Sequence, residues 1–106
     1  MGIRIFLDDE RVPKVEDFSF IVRCWTDWCI LLNWCKKNRI KISYISFDHD
    51  LGEGNSGYDC CKLLVEMDIE NQLLSKDFSY NIHSGNIIGG NNIKWYLKNC
   101  LLMKNL

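Results

Sequence analysis

The chain of 106 residues has no alanine, one proline, no CxxC pair and no apolar run near the roughly 20 residues that span a bilayer. It also lacks a basic cluster. Lys and Arg number 13 against 14 Asp and Glu, for a formal net charge of -1, and no tail or stripe gathers positive charge. A dedicated DNA-binding module needs such clustering to displace counterions, so no strong nucleic-acid interface is expected. No membrane partner is expected either. Nothing at the N-terminus reads as a signal peptide, because Asp8, Asp9 and Glu10 interrupt the first apolar stretch. The six cysteines, Cys24, Cys29, Cys35, Cys60, Cys61 and Cys100, lack zinc-site or disulfide-framework spacing. Buried, reduced thiols in a reducing compartment are expected. The location expected is therefore cytoplasmic, or the host cytoplasm if the chain is viral. Missing alanine with frequent Ile, Asn and Lys fits an AT-rich coding genome, which bears on origin and not on physics.

What is present is ordinary for a globular chain: 47% apolar and 25% charged residues. The length suggests a single domain over residues 1–106, able to bury about two-thirds of its unfolded surface. Ile3 to Leu7 reads as a short buried strand running into Asp8-Asp9. Val12-Pro13 interrupts regular structure, and Phe18 to Trp25 is again strand-like. Thr26 or Asp27 can cap a helix whose apolar stripe is Trp28, Leu31, Leu32 and Cys35. A third strand, Lys41 to Phe47, feeds Asp48-His49-Asp50. The glycine-bearing loop from Leu51 to Gly57 precedes a helix with Cys61, Leu64, Val65 and Asp68 on one side. Glu70 to Asp77 reads as a connection and Phe78 to Ile82 as the fourth strand, ending at His83-Ser84. Asn91 or Asn92 can cap a last helix with Ile93, Tyr96, Leu97, Cys100 and Leu101 inward. This alternation predicts an α/β fold with a mainly parallel sheet covered on both faces.

In open α/β sheets, ligands bind outside the carboxyl ends of the strands. Three of those ends carry Asp8-Asp9, Asp48-His49-Asp50 and His83-Ser84. A lone Asp there usually caps a turn or pairs with a Lys. Four across two strand ends point to a shared site, where converging carboxylates resist ionising together and a divalent cation relieves the conflict. Arg11 either grips a phosphate or pairs with Asp9 or Glu10. His49 and His83 suit a general acid/base pair or added metal ligands. Ser84 and Asn86 sit in a turn whose amides can face an anion, or else only cap. The Gly52 to Gly57 loop lacks the Gly-Lys-Ser/Thr ending of a P-loop. Trp25, Trp28, Trp34 and Trp95 read as core or edge residues, although exposed tryptophans would suit a homodimer. Tyr58 is the better candidate to stack on a base or ribose.

The blocks Ile5-Phe6-Leu7-Asp8-Asp9-Glu10-Arg11-Val12-Pro13, Ile45-Ser46-Phe47-Asp48-His49-Asp50-Leu51-Gly52, Gly57-Tyr58-Asp59 and His83-Ser84-Gly85-Asn86-Ile87-Ile88-Gly89 resemble the signatures of the cyclic-phosphate-processing receiver-like domains. The resemblance spans nearly the whole chain in the same order. It implies a divergent response-regulator receiver fold: a three-layer, flavodoxin-like sandwich with a short, mainly parallel sheet of four or five strands. It also implies hydrolysis or handling of cyclic-phosphate nucleotides, in RNA repair, nucleotide processing or virus–host conflict. An ordinary phosphoacceptor receiver needs a lysine after a fifth strand, and none follows the last helix.

The leading expectation is a metal-dependent cyclic phosphodiesterase acting on a small nucleotide. Asp8, Asp9 and Asp48 would hold Mg²⁺ or Mn²⁺. His49, His83 and Asp50 would serve catalysis, and Arg11, Ser84, Asn86 and Tyr58 would bind substrate. The alternatives are a protein that sequesters a cyclic nucleotide without cleaving it, a phosphoacceptor receiver, and metal-free hydrolysis by the two histidines.

Overall fold

The computed structural model describes residues 2–15, 17–52 and 54–104. Seven elements follow in order: β1 (Ile3–Leu7), β2 (Phe20–Val22), α1 (Trp25–Asn38), β3 (Ile42–Phe47), α2 (Gly57–Asn71), β4 (Leu74–Ile82) and α3 (Ile87–Lys104). The strands form one all-parallel sheet in the order β2-β1-β3-β4. The two helical crossovers, β2-α1-β3 and β3-α2-β4, move the same way across that order, opposite to the β1–β2 connection. Right-handed crossovers therefore set α1 and α2 on the same face, and α3 packs beside α2. This is the receiver-like α/β arrangement, with four strands.

One contiguous core fills the space between the helices and that face. Ile5, Leu7, Ile45 and Phe47 meet Trp28, Leu31 and Leu32 of α1, Cys61, Leu64 and Val65 of α2, and Ile93 and Leu97 of α3. The Trp28 indole N–H donates to the Cys60 carbonyl at 3.0 Å, so the largest buried side chain carries no unpaired polar atom. Cys35, Cys60 and Cys61 are buried and every cysteine is a free thiol. Burial pushes the Cys35 thiol up to about 11 and Cys60 to about 12, so both behave as small apolar residues.

Among the described residues the second face carries no helix. From Asp8 to Ser19 the chain runs without helix among the described residues, and Phe18 folds back edge-on to Phe6 and against Tyr44. The layer on this face is thus made by the β1–β2 connection and not by helices. Strand pairing fixes its rows: Arg4 beside Tyr44 and Ser79, then Phe6 beside Ser46 and Asn81.

Four local expectations are corrected. Strand-like character from Phe18 to Trp25 yields only Phe20–Val22, since Trp25 already begins α1. Thr26 and Asp27 lie within α1; its cap position is Cys24, which makes no side-chain capping bond. The connection assigned to Glu70–Asp77 is partly strand, because β4 starts at Leu74, where the Asp68 carboxylate accepts the Leu74 amide at 2.9 Å. Asn91 and Asn92 do not cap α3. Asn86 does, its side-chain oxygen accepting the Gly89 amide at 2.8 Å, so Gly89 and Gly90 are helical. Glycine content hid that start. Among the described residues, no helix is long and apolar enough to cross a membrane.

Candidate functional site

One step beyond the paired row Leu7, Phe47 and Ile82, the sheet brings Asp8, Asp48 and His83 side by side. Their amides continue the parallel ladder, donating to the carbonyls of Val22 (3.0 Å), Leu7 (2.9 Å) and Phe47 (2.9 Å) respectively. Register thus aligns three side chains that lie far apart in sequence. One ligand atom from each lies within 4.8 Å of the others. Asp8 is 0% exposed and Asp48 5%.

The two carboxylates are held differently. Burial alone would push the Asp8 carboxyl up. The amides of Arg11 and Glu10, each donating to Oδ1 at 2.9 Å, and the His83 contact at 2.9 Å on Oδ2 outweigh it, so Asp8 titrates below its ordinary value. Burial also pushes Asp48 up, and the Asp8 charge pushes it the same way. A hydrogen bond from Ser84 and the charges of His83 and Arg11 offset this only in part.

His83 is held at both nitrogens. Nε2 meets Asp8, while Nδ1 lies 2.6 Å from the Ser46 hydroxyl. Its ring stacks on Phe6 with centroids 4.6 Å apart. Arg11 spans the mouth: it donates to the His83 carbonyl at 2.9 Å, and its guanidinium is 3.7 Å from Asp8. Arg23 donates to the Asp8 carbonyl at 3.2 Å.

A second group lies at the rim. His49 Nδ1 is 3.0 Å from the Asp50 carboxylate, and that contact holds the exposed Asp50 below its ordinary pKa. The Asn86 amide sits 3.5 Å from both. The His49 ring lies against α3 at Gly89, where a Cβ would come within 2.6 Å of Nδ1. The nearest atom is His49 Cγ, which ring rotation leaves in place, so Gly89→Ala should swing the whole His49 side chain about its Cα–Cβ bond while helix propensity gains about 0.5–1 kcal/mol. His49 ring-proton resonances are expected to move, with His83 unchanged and no loss of melting temperature. Unshifted His49 resonances would contradict the contact.

Of the residues singled out by sequence, Asp8, Asp48, His83, Arg11 and Ser84 converge in one cluster. His49, Asp50 and Asn86 form the adjoining rim. Asp9 is exposed beside Gly52 and outside the three-residue cluster. Tyr58 joins neither group: its ring meets the Tyr96 edge at 5.7 Å and the Lys62 ammonium at 5.1 Å, between α2 and α3. Ser46 and Arg23 were missed. Ser46 had a signal, being a polar residue inside an apolar strand and two positions before Asp48, hence on its face.

As donors, two carboxylates and an imidazole fit a divalent cation. The nitrogen favours Mn²⁺ over Mg²⁺. Ligation by His83 would require Nε2 to give up the proton it donates to the Asp8 carboxylate and turn the freed lone pair to the ion, with Nδ1 then protonated and donating to the Ser46 hydroxyl. No curated protein and no solved structure matches the chain. The family of cyclic-phosphate processing receiver domains matches residues 3–99, so the chain belongs to that family.

Proposed function

We propose that the protein is a metal-dependent phosphodiesterase that opens a cyclic-phosphate nucleotide at the carboxyl ends of β1, β3 and β4. The supporting observation is the convergence of Asp8, Asp48 and His83 within 4.8 Å, with two buried carboxylates in mutual conflict. A divalent cation held by Asp8 and Asp48, with His83 as third ligand, would supply charge neutralisation at the phosphoryl oxygens and a more acidic water.

The remaining residues divide the work. Arg11 and Ser84 orient the phosphate and stabilise charge growing on it. Asp50 holds the Nδ1 side of His49, leaving Nε2 to take a proton from the attacking water. Asn86 steadies that pair. In the reaction the water oxygen bonds to phosphorus, one ring P–O bond breaks, and the proton ends on the departing hydroxyl. His83 is a poorer proton carrier than His49, since both its nitrogens are engaged.

The test is a screen of 2′,3′-cyclic, 3′,5′-cyclic, cyclic oligonucleotide and ADP-ribose cyclic-phosphate substrates with Mn²⁺, Mg²⁺ or EDTA. A linear phosphomonoester formed only with metal is expected. Intact nucleotide recovered from heated protein would instead indicate sequestration, and turnover surviving EDTA would remove the cation from the scheme.

A further inference from the structure

Beside the site, a groove of about 560 Å³ lies between the outer edge of β4 and α3, lined by Tyr80, Asn81, Ser84, Ile87, Asn91 and Lys94 among others. We propose that this groove seats the nucleoside of the ligand, with Lys94 meeting a further phosphate at its far end. The inference rests on the cyclic-phosphate reading above and names the rest of the molecule that the site would take.

Size, continuity and chemistry all bear on it. Small-molecule sites occupy roughly 300–1,000 Å³. Ser84 and Asn86 belong to both the groove and the site: Ser84 follows His83 directly, and the Asn86 amide meets the His49–Asp50 pair at the rim. A ligand with its phosphate at Asp48 and Arg11 therefore extends into the groove without leaving the protein. The walls combine Tyr80, Ile82 and Ile87 with the carboxamide of Asn91. A carboxamide presents donor and acceptor together, the pairing that reads a base edge, as Asn does with adenine. Among the described residues Asn91 spends its side chain on no hydrogen bond. Lys94 makes no ion pair there. No acidic residue lines the groove, although the site itself is rich in carboxylates. Helix rise puts Lys94 about 10 Å along α3 from Ile87, which suits a second anion separated from the first by a ribose. Tyr58, the base-stacking candidate from sequence, is engaged with Tyr96, and its place passes to this groove.

The experiment uses the full chain with Mg²⁺ and three probes: ribose 2′,3′-cyclic phosphate without a base, adenosine 2′,3′-cyclic phosphate, and the latter bearing a 5′-phosphate. Asn91→Ala and Lys94→Gln both change exposed residues. Asn91→Ala is expected to raise KM about 10-fold for the two nucleotides, with kcat and the base-free probe unaffected. Lys94→Gln should raise KM about 10-fold for the 5′-phosphorylated probe alone, and less at high salt. Amide shifts at Asn81 and Asn91 should accompany nucleotide binding. Equal affinity for base-free and nucleotide probes would overturn the groove and leave the phosphate site standing. Concentration-dependent protection of β4 amides, marking a second copy paired on that edge, would also overturn it. Failure of all three probes would remove the cyclic-phosphate reading itself, and the groove with it.

Discussion

Asp48→Asn is expected to abolish metal binding and turnover while making the metal-free protein more stable at neutral pH. Burial and the neighbouring Asp8 charge raise the Asp48 pKa above the ordinary value of 3.8. The folded state therefore binds this proton more tightly than the unfolded state does. Stability falls as pH rises from about 3.8 to the raised folded value, and above it the whole loss is carried. Asparagine removes that loss, so the gain in melting temperature should shrink as pH drops through the same window. Asp8→Asn should behave oppositely. The folded Asp8 titrates below 3.8, so its ionised form adds stability above that value and loses it as pH falls through the folded pKa. Its replacement lowers the melting temperature at neutral pH. Metal affinity should fall more than about 100-fold in both variants, since losing even a residue behind the ligands costs about 10- to 100-fold. Thermal melts from pH 3 to 8, with and without Mn²⁺, check all of this. A destabilised Asp48→Asn protein, or one still stabilised by Mn²⁺, would refute the assignment.

Gly57→Ala should be the most damaging single-methyl change in the molecule, although alanine ordinarily improves a helix. Gly57 is the first residue of α2, after the Ser56 cap. Ser56 accepts the Asp59 amide at 3.3 Å, and the Asp59 carboxylate accepts the Ser56 amide at 2.8 Å. The Gly57 amide then donates to the His49 carbonyl at 2.6 Å, closing the loop at its neck. A Cβ at this position would overlap the Asp48 carbonyl and lie 3.0 Å from the His49 Cα. Those are backbone atoms, so no rotamer change relieves the overlap. The cost should exceed the helix-propensity gain and leave the protein about 2 kcal/mol less stable, or roughly 10 °C lower in melting temperature. Because the displaced atoms carry Asp48 and His49, surviving folded protein should also bind Mn²⁺ more weakly. A melt equal to that of the unaltered chain would show that the neck opens freely.

Legibility from sequence followed the range of the interactions. β1 and β3 were readable because both are short β-branched runs ending in acidic residues, and buried parallel strands have that composition. The stripe Trp28, Leu31, Leu32 and Cys35 of α1 was equally local. Helix starts were harder. Asn86 caps α3 across a segment with two glycines, and only tertiary packing against β4 and His49 keeps Gly89 and Gly90 helical. The start of β4 depended on Asp68, six residues upstream, accepting the Leu74 amide.

The candidate site divides the same way. Residue type and position after a strand selected Asp8, Asp48 and His83, because one such residue has an ordinary turn-capping use but several across neighbouring strand ends do not. Strand order decided that they meet. With β1 between β2 and β3, and β3 between β1 and β4, their ends share one row. Nothing local distinguishes Asp8, sealed under two amides and an imidazole, from Asp9, turned to solvent. That difference is set by which way the chain leaves β1. The sequence by itself determined which side chains were available for chemistry and that parallel strands would carry them. Only the tertiary structure decided which carboxylate is buried, which histidine keeps a free nitrogen and where a groove opens, because each depends on contacts between segments tens of residues apart.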